Sequence, residues 1–270
     1  MNLISKSDTI NKDIYVNGDH LFGPDLCCIM AGPCAAESRD QIMFTAEALA
    51  NLGIKVFRAG CFKSRTDPHS FQGAGPDGLN WLDEARQSYG LNIITEVADS
   101  DHFDEIEDVT DIIQLSSKAM YDYALLRRAG KSNRPVLMKR HFGATIEDMF
   151  RMADYILTEG NNQIMFCERG IRTFETSSRF TLDLCGAEVI KHESNIPVVL
   201  DPSHSMGYSY GVPDIARACV ALGCEGLLIE VHHNPAEAKC DKQQAIDLVE
   251  FGKLYEDIKS ISNITGKSII

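Results

Sequence analysis

The 270-residue sequence lacks any apolar run near the ~18 residues that a membrane-spanning helix requires. Its first residues, 1–13, alternate polar and charged types and include no apolar segment typical of a secretory signal. These absences argue against a membrane or secreted protein and predict a cytoplasmic location.

Positive charge is also scarce. The chain has 26 Lys and Arg residues against 39 Asp and Glu, a net charge of -13, and a pI near 5.0. Nucleic-acid-binding domains usually show a basic patch and a high pI, so nucleic acid is excluded as a partner. An acidic protein that binds anions must gather its basic residues in one place.

The nine cysteines include no CxxC pair and no spacing of a disulfide framework. The pattern predicts reduced thiols, most of them acting as small buried hydrophobic residues. No Walker A motif is present. The stretch from Gly73 to Gly78 matches GxGxxG, but it follows a loop and contains Pro76, so we do not interpret it as a dinucleotide site.

Short apolar runs recur along the chain and are nearly continuous in hydrophobicity, as in parallel strands covered on both faces. Eight strands are predicted: Cys27–Ala31, Lys55–Ala59, Asn92–Thr95, Ile112–Leu115, Val136–Lys139, Gln163–Cys167, Val198–Asp201 and Gly226–Glu230. Helical patterns separate them, with glycines 53, 90, 130, 160 and 223 where C-terminal caps would lie. The alternation favours βαβ units closing into a single (β/α)8 TIM barrel over residues 27–270.

Residues 1–26 form an N-terminal extension. In it, Asn17-Gly18 lies between short apolar segments, which is a strong signal for a β-hairpin. We expect this short hairpin to plug the N-terminal end of the barrel.

Active sites of (β/α)8 barrels lie at the C-terminal ends of the strands. A basic group follows these ends: Arg58, Lys63, Arg65, Lys118, Lys139, Arg140, Arg169 and Arg172. Arginine and lysine gathered at one rim indicate a site for phosphate and carboxylate groups. The alternative is that they are solvated charges paired with nearby acids.

A second group at the same rim carries possible metal ligands: Cys34, His204, Glu230 and Asp241. One sulfur, one nitrogen and two oxygen donors are compatible with Mn, Fe, Co or Zn. His232 and His233, close to Glu230, compete with His204 for the histidine position.

Several segments, in chain order, resemble those of the 3-deoxy-D-arabino-heptulosonate 7-phosphate (DAHP) synthases, type I beta subfamily, which share a barrel with 3-deoxy-octulosonate 8-phosphate synthases. They are Gly32-Pro33-Cys34-Ala35-Ala36-Glu37-Ser38, residues 58–66 with 70–73, Cys167-Glu168-Arg169-Gly170-Ile171-Arg172-Thr173, Asp201-Pro202-Ser203-His204-Ser205, and Glu230-Val231-His232 with Asp241. The similarity runs from about residue 27 to residue 250.

The resemblance implies a divalent metal ion on Cys34, His204, Glu230 and Asp241, which selects His204 over its competitors. It implies that Arg65 and Thr66 hold the phosphate of an aldose. Phosphoenolpyruvate would lie on Arg58, Lys63, Lys139 and Arg169, with Lys118 assisting. Lys63, Glu96 and His204 are the predicted catalytic residues, and a homotetramer is expected.

The predicted reaction is the metal-dependent condensation of phosphoenolpyruvate with erythrose 4-phosphate, the first step of the shikimate pathway to aromatic amino acids. Ser64 and Lys118 stand where the family usually has Pro and Arg, and both substitutions bear on substrate phosphates. An octulosonate phosphate synthase is therefore kept as an alternative, although Lys63-Ser64-Arg65-Thr66 differs from that branch's usual loop. A non-catalytic binding or regulatory barrel is the alternative from another class.

Overall fold

A computed structural model of the chain describes residues 10–63, 67 and 69–270. Eight of its strands lie where the sequence predicts them. They are β3 (Leu26–Gly32), β4 (Val56–Arg58), β5 (Asn92–Val97), β6 (Ile112–Leu115), β7 (Val136–Lys139), β8 (Ile164–Glu168), β9 (Val198–Leu200) and β10 (Gly226–Glu230). Each is buried along almost its whole length, as expected for strands covered on both faces.

The eight strands close into a parallel barrel. Each pairs with the next in chain order, and β10 returns to pair with β3, with Glu230 opposite Gly32. One further short strand, β11 (Ser268–Ile269), pairs with β3 outside the closed barrel. The predicted (β/α)8 closure is confirmed, and it brings all eight C-terminal strand ends to one rim.

Helices surround this barrel and connect its strands. They are α1 (Arg39–Asn51), α2 (Pro76–Tyr89), α3 (Phe103–Val109), α4 (Tyr123–Lys131), α5 (Ile146–Leu157), α6 (Leu184–Glu193), α7 (Pro202–Met206), α8 (Val212–Ala221) and α9 (Leu248–Thr265). Short 3-10 helices occupy Ser117–Tyr121, Ser209–Gly211 and Pro235–Glu237. None of the helices in the described parts of the chain combines the length and hydrophobicity of a membrane span.

Side-chain hydrogen bonds begin several of these helices. Thr145 and Asp148 form a reciprocal capping box before α5, and Asp201 accepts a hydrogen bond from the backbone N–H of His204 at the start of α7. Helix α2 begins at Pro76, because proline is favoured in the first helical turn, where its missing N–H costs nothing.

The N-terminal hairpin is also confirmed. Strands β1 (Ile14–Val16) and β2 (Asp19–Phe22) pair antiparallel around Asn17-Gly18, where both residues have positive φ. The buried hairpin side chains Ile14, Leu21 and Phe22 pack into the barrel interior against inward-facing residues from all eight barrel strands. The hairpin therefore closes the N-terminal end and leaves the opposite rim for the site.

One predicted cap is wrong. Gly53, Gly90, Gly160 and Gly223 have the positive φ typical of residues that follow a helix, but Gly130 lies inside α4. A Cβ atom at Gly130 would lie 2.5 Å from the carbonyl oxygen of Ile156 in α5. Glycine is needed here for the close approach of two helices, which periodicity along one helix does not reveal.

We predict that Gly130→Ala destabilises the fold by about 1–3 kcal/mol, because the steric conflict with α5 outweighs the gain in helix propensity. Gly252→Ala in α9 is the matched control, since an added Cβ there would meet no atom of the described chain within 4 Å. It should instead stabilise by about 0.5–1 kcal/mol. Urea denaturation followed by circular dichroism measures both, and equal effects would contradict this assignment.

Candidate active site

A cavity of about 160 Å³ opens at the C-terminal rim of the barrel. Basic, acidic and aromatic side chains share its wall. The lining residues are Cys34, Lys63, Glu96, Ser116, Ser117, Lys118, Lys139, Phe142, Arg169, Arg179, Phe180, His204 and Asp241. Strands β3, β5, β7, β8 and β9 place their terminal or following residues here, which is where active sites of this fold lie.

Arg169 provides the clearest sign of an anion site. It follows β8, is only 5% exposed, and its guanidinium stacks 4.4 Å from the centre of the Phe180 ring. Its Nε and Nη1 atoms have no hydrogen-bond partner in the described chain. Burial lowers the pKa of Arg169 but does not neutralise a guanidinium at physiological pH. Such buried donors call for an anionic ligand.

Two lysines in the cavity are held by carboxylates. Lys139 Nζ lies 2.8 Å from Asp201 Oδ2, and Lys63 Nζ lies 3.2 Å from Glu96 Oε2. Burial opposes the ionisation of Glu96, but Lys63 and Lys139 outweigh it and lower the pKa of Glu96 to about 2. Glu96 is therefore an anion at neutral pH and orients Lys63. A proton donor or acceptor tuned to neutral pH would need a much higher pKa.

Asp201 also positions His204. Its Oδ2 lies 2.7 Å from Nδ1 of His204, a contact that fixes the imidazole ring although the geometry is not that of a hydrogen bond. Burial lowers the pKa of His204, which favours the neutral imidazole. The Nε2 atom lies 3.4 Å from Glu230 Oε1. Two acceptors that face each other in this way fit a cation between them.

Asp241 connects this pair to two cysteines. Ligand atoms of His204, Glu230 and Asp241 all lie within 4.8 Å of one another, and so do those of Cys34, Cys240 and Asp241. Cys34 Sγ is 3.3 Å from Asp241 Oδ2. The four predicted ligands therefore come together, and their S, N, O, O donor set suits a divalent transition metal.

Glu230 is fully buried and is held from two sides. Arg58 donates to its Oε1 at 2.9 Å, and Gln244 donates to its Oε2 at 2.6 Å. Arg58, predicted to bind a substrate directly, therefore lies against the carboxylate of Glu230. Glu230 is one of the four predicted metal ligands, Cys34, His204, Glu230 and Asp241, which are called the donor group below. Ion pairing offsets the burial of both charges.

Two other members of the predicted basic group do not line the cavity. Arg140 is bound by Glu168 and Asp183 at 2.8 and 2.9 Å, which is a structural ion network. Arg172 is exposed and stacks on Phe142 at 4.5 Å. Pairing with acids, the alternative considered for the group, applies to Arg140 and also to Arg58, Lys63 and Lys139, but the two lysines still line the cavity. Arg65 and Thr66 lie outside the described residues.

The competing histidines, His232 and His233, contact other groups than the predicted metal ligands. His232 lies 3.7 Å from Glu37, and the rings of His232 and His233 stack at 4.6 Å. In the part of the chain that the structure describes, neither joins a group of possible ligand atoms with Glu230.

Sequence reasoning missed several residues of the site. Asp201, Gln244 and Cys240 had local signals, since each is within three residues of a predicted ligand. Arg179 had none: it lies in the long connection after β8 and reaches Asp241 Oδ1 at 3.4 Å. Whether a residue in such a loop lines the cavity depends on the path of the loop, which no local sequence pattern reveals.

The fold and the site together define a (β/α)8-barrel enzyme. Its anion-binding cavity lies beside a cluster of side chains of the types that bind metal ions. The sequence model of the DAHP synthetase I family matches residues 8–265 of this chain. The chain therefore belongs to this family.

Individual relatives agree with this assignment. The chain is 41% identical to a phospho-2-dehydro-3-deoxyheptonate aldolase of Thermotoga maritima, over 99% of this chain and 79% of the relative. A crystal structure of a DAHP synthase from that organism matches with a TM-score of 0.96 at 39% identity, covering 100% of this chain and 79% of that one. A 2-dehydro-3-deoxyphosphooctonate aldolase of Magnetococcus marinus is 30% identical, over 97% of this chain and 95% of the relative.

The low pKa of Glu96 makes a testable contribution to acid stability. An unfolded glutamate has a pKa of about 4.3, so the stabilisation by Lys63 and Lys139 is complete above that pH and is lost as the pH falls toward 2. We predict that Glu96→Gln lowers the free energy of unfolding at pH 6, and that its difference from the unsubstituted protein shrinks progressively below about pH 4.

Urea titrations from pH 6 to pH 3 measure this difference. Glu147→Gln is the control, because Glu147 forms an exposed pair with Arg151 and should contribute only about 0–1 kcal/mol. A Glu96→Gln deficit that stays constant across this range would contradict the predicted role.

Proposed function

We propose that the chain condenses phosphoenolpyruvate with erythrose 4-phosphate, giving 3-deoxy-D-arabino-heptulosonate 7-phosphate and phosphate, the first step of the shikimate pathway. The observation that carries the proposal is Arg169, a buried guanidinium with partnerless donors on a cavity that also contains Lys63, Lys118 and Lys139. The family assignment and the heptonate aldolase relative support the same reaction.

Phosphoenolpyruvate carries a carboxylate and a phosphate, and the cavity offers cations to both. Arg169 has a planar fork that suits two oxygens of one anion, and the lysines act as point charges. The acids that hold Lys63 and Lys139 also fix the ammonium groups in place. Prepositioned charges of this kind lower the cost of bringing two anionic substrates together.

The donor group fits a divalent metal ion. Cys34, His204, Glu230 and Asp241 would hold it, with Asp201 and Gln244 orienting His204 and Glu230. When bound, the ion would supply Lewis-acid polarisation of the aldehyde oxygen. Because the pKa of Cys34 is raised by its hydrogen bond to Cys240 and by burial, metal binding would release a proton from this thiol.

The proposed reaction forms a bond between C3 of phosphoenolpyruvate and the aldehyde carbon. One water supplies the hydroxyl added at C2 and the proton of the new alcohol, and loss of phosphate from C2 leaves the ketone. Lys63 lies beside Cys34 and Glu96, so its positive charge would stabilise the oxygen anion that develops on the aldehyde. Phe142 and Phe180 form apolar walls that limit the entry of further water.

An octulosonate phosphate synthase is the second candidate, because two relatives named 2-dehydro-3-deoxyphosphooctonate aldolase are 30% and 32% identical over 95% of their length. The two reactions share phosphoenolpyruvate and differ in the aldose. The residues expected to hold the aldose phosphate, Arg65 and Thr66, lie outside the described parts, so the choice depends on a direct comparison of substrates.

We predict that purified protein releases phosphate only when phosphoenolpyruvate and an aldose phosphate are both present, with a higher kcat/KM for erythrose 4-phosphate than for arabinose 5-phosphate. Chelation should stop the reaction, and Mn²⁺ or Zn²⁺ should restore it. The opposite aldose preference would favour the octulosonate reaction. Turnover that survives complete metal removal would contradict metal dependence, and absence of turnover with either aldose would favour a non-catalytic barrel.

Arg169→Met should raise the KM for phosphoenolpyruvate by about 10- to 100-fold, the effect of losing charge-assisted hydrogen bonds. Arg172→Met is the matched control, since Arg172 is three residues away, exposed, and outside the cavity lining. It should leave that KM nearly unchanged. Steady-state kinetics decide, and equal KM values in the two variants would argue against Arg169 as a phosphoenolpyruvate ligand.

A further inference from the structure

Cys240 lies next to the predicted metal ligands, although neither the fold nor the proposed reaction requires it. Its sulfur is 2.8 Å from the sulfur of Cys34, and the residue is 4% exposed. The two cysteines belong to a small apolar cluster with Ala35 and Phe71. By contrast, Cys28 and Cys167 lie in the apolar barrel interior, away from any carboxylate of the donor group.

The backbone brings Cys240 and Asp241 to the same point. Neighbouring residues of an extended chain direct their side chains to opposite sides. Here Asp241 has a φ of +49°, an uncommon left-handed conformation for a residue other than glycine. Cys34 is within reach of both side chains, at 2.8 Å from Cys240 Sγ and 3.3 Å from Asp241 Oδ2. A backbone outlier that directs two donors to one place is a reason to look for a ligand.

The donor atoms form two overlapping triads. Cys34, Cys240 and Asp241 make one, His204, Glu230 and Asp241 make the other, and Asp241 belongs to both. Asp241 thereby links the two triads into one group of five possible donors. Two arginines offset the negative charge of this group: Arg58 is 2.9 Å from Glu230, and Arg179 is 3.4 Å from Asp241.

We propose that Cys240 is a second sulfur ligand of the metal ion, so that the site offers two sulfurs, one nitrogen and two oxygens. This inference rests on the metal site of the proposed function and adds a ligand to it. Thiolates select Zn²⁺, Co²⁺ or Fe²⁺ over the oxygen-preferring Mn²⁺ and Mg²⁺. The second thiolate therefore biases the site toward the softer ions.

Cobalt spectroscopy of the reduced, metal-free full-length protein tests the number of sulfur ligands. Thiolate ligands give near-ultraviolet charge-transfer absorption, whereas the visible bands of Co²⁺ report binding whether or not sulfur is present. Cys240→Ser should keep the visible bands and lose about half of the charge-transfer intensity, because one of two thiolates is removed. Cys34→Ser should behave in the same way, and Cys185→Ser, at an exposed cysteine, should match the unsubstituted protein.

A charge-transfer intensity unchanged by Cys240→Ser and abolished by Cys34→Ser would overturn the inference. Visible bands that never develop in the unsubstituted protein would instead refute the metal site itself, and with it the metal role in the proposed function. The two failures are thus distinguishable.

A second measurement needs no variant. Zn²⁺ should protect both Cys34 and Cys240 from alkylation by iodoacetamide, as read by mass spectrometry of the peptides, while Cys185 reacts equally with and without the ion. Protection of Cys34 alone would contradict the proposal.

Competition between metal ions tests the selectivity of the site. Cys240→Ser should weaken Zn²⁺ binding by about tenfold or more, and Mn²⁺ binding by less.

Discussion

Burial of charge at one rim of the barrel is the constraint on which the rest of the site depends. Arg58, Lys139, Arg169, Asp201 and Glu230 are each at most 5% exposed. An isolated charge at such depth is strongly unfavourable, so each must be paired, hydrogen-bonded or supplied with a ligand. Most are paired within the chain, and the exception, Arg169, indicates where the missing partner belongs.

The barrel meets this constraint by dividing the rim into two parts. Acids on one side hold the lysines of the cavity, so that the cations stay fixed while their outer faces remain available. On the other side, Arg58 and Gln244 hold Glu230, and Asp201 contacts His204, so that the Glu230 carboxylate and the His204 imidazole face each other. The first arrangement calls for an anion and the second for a cation. The proposed condensation uses both.

Rigid support explains how such a site can persist. The N-terminal hairpin fills the far end of the barrel, and side chains from all eight strands pack between it and the rim. The long connections after β8 and β10 then complete the wall, contributing Arg179, Phe180 and Asp241. Residues on strands are thereby held more firmly than those on the loops, which are the parts that differ most readily between enzymes of one fold.

The strand pattern and the glycine-marked turns were enough to predict all eight barrel strands, the hairpin and the rim on which the site lies, because burial on both faces leaves a continuous apolar signal in the sequence. The same pattern placed Gly130 wrongly, since its role is set by a neighbouring helix. The convergence of Cys34, His204, Glu230 and Asp241 could be anticipated from strand-end positions and family resemblance. Only the tertiary structure separated Arg140, which is bound by Glu168 and Asp183, from Arg169, which is not, and added Cys240 and Arg179. The physical reason is that residue type and strand position are local properties, whereas the pairing of a buried charge depends on which distant segments meet around it.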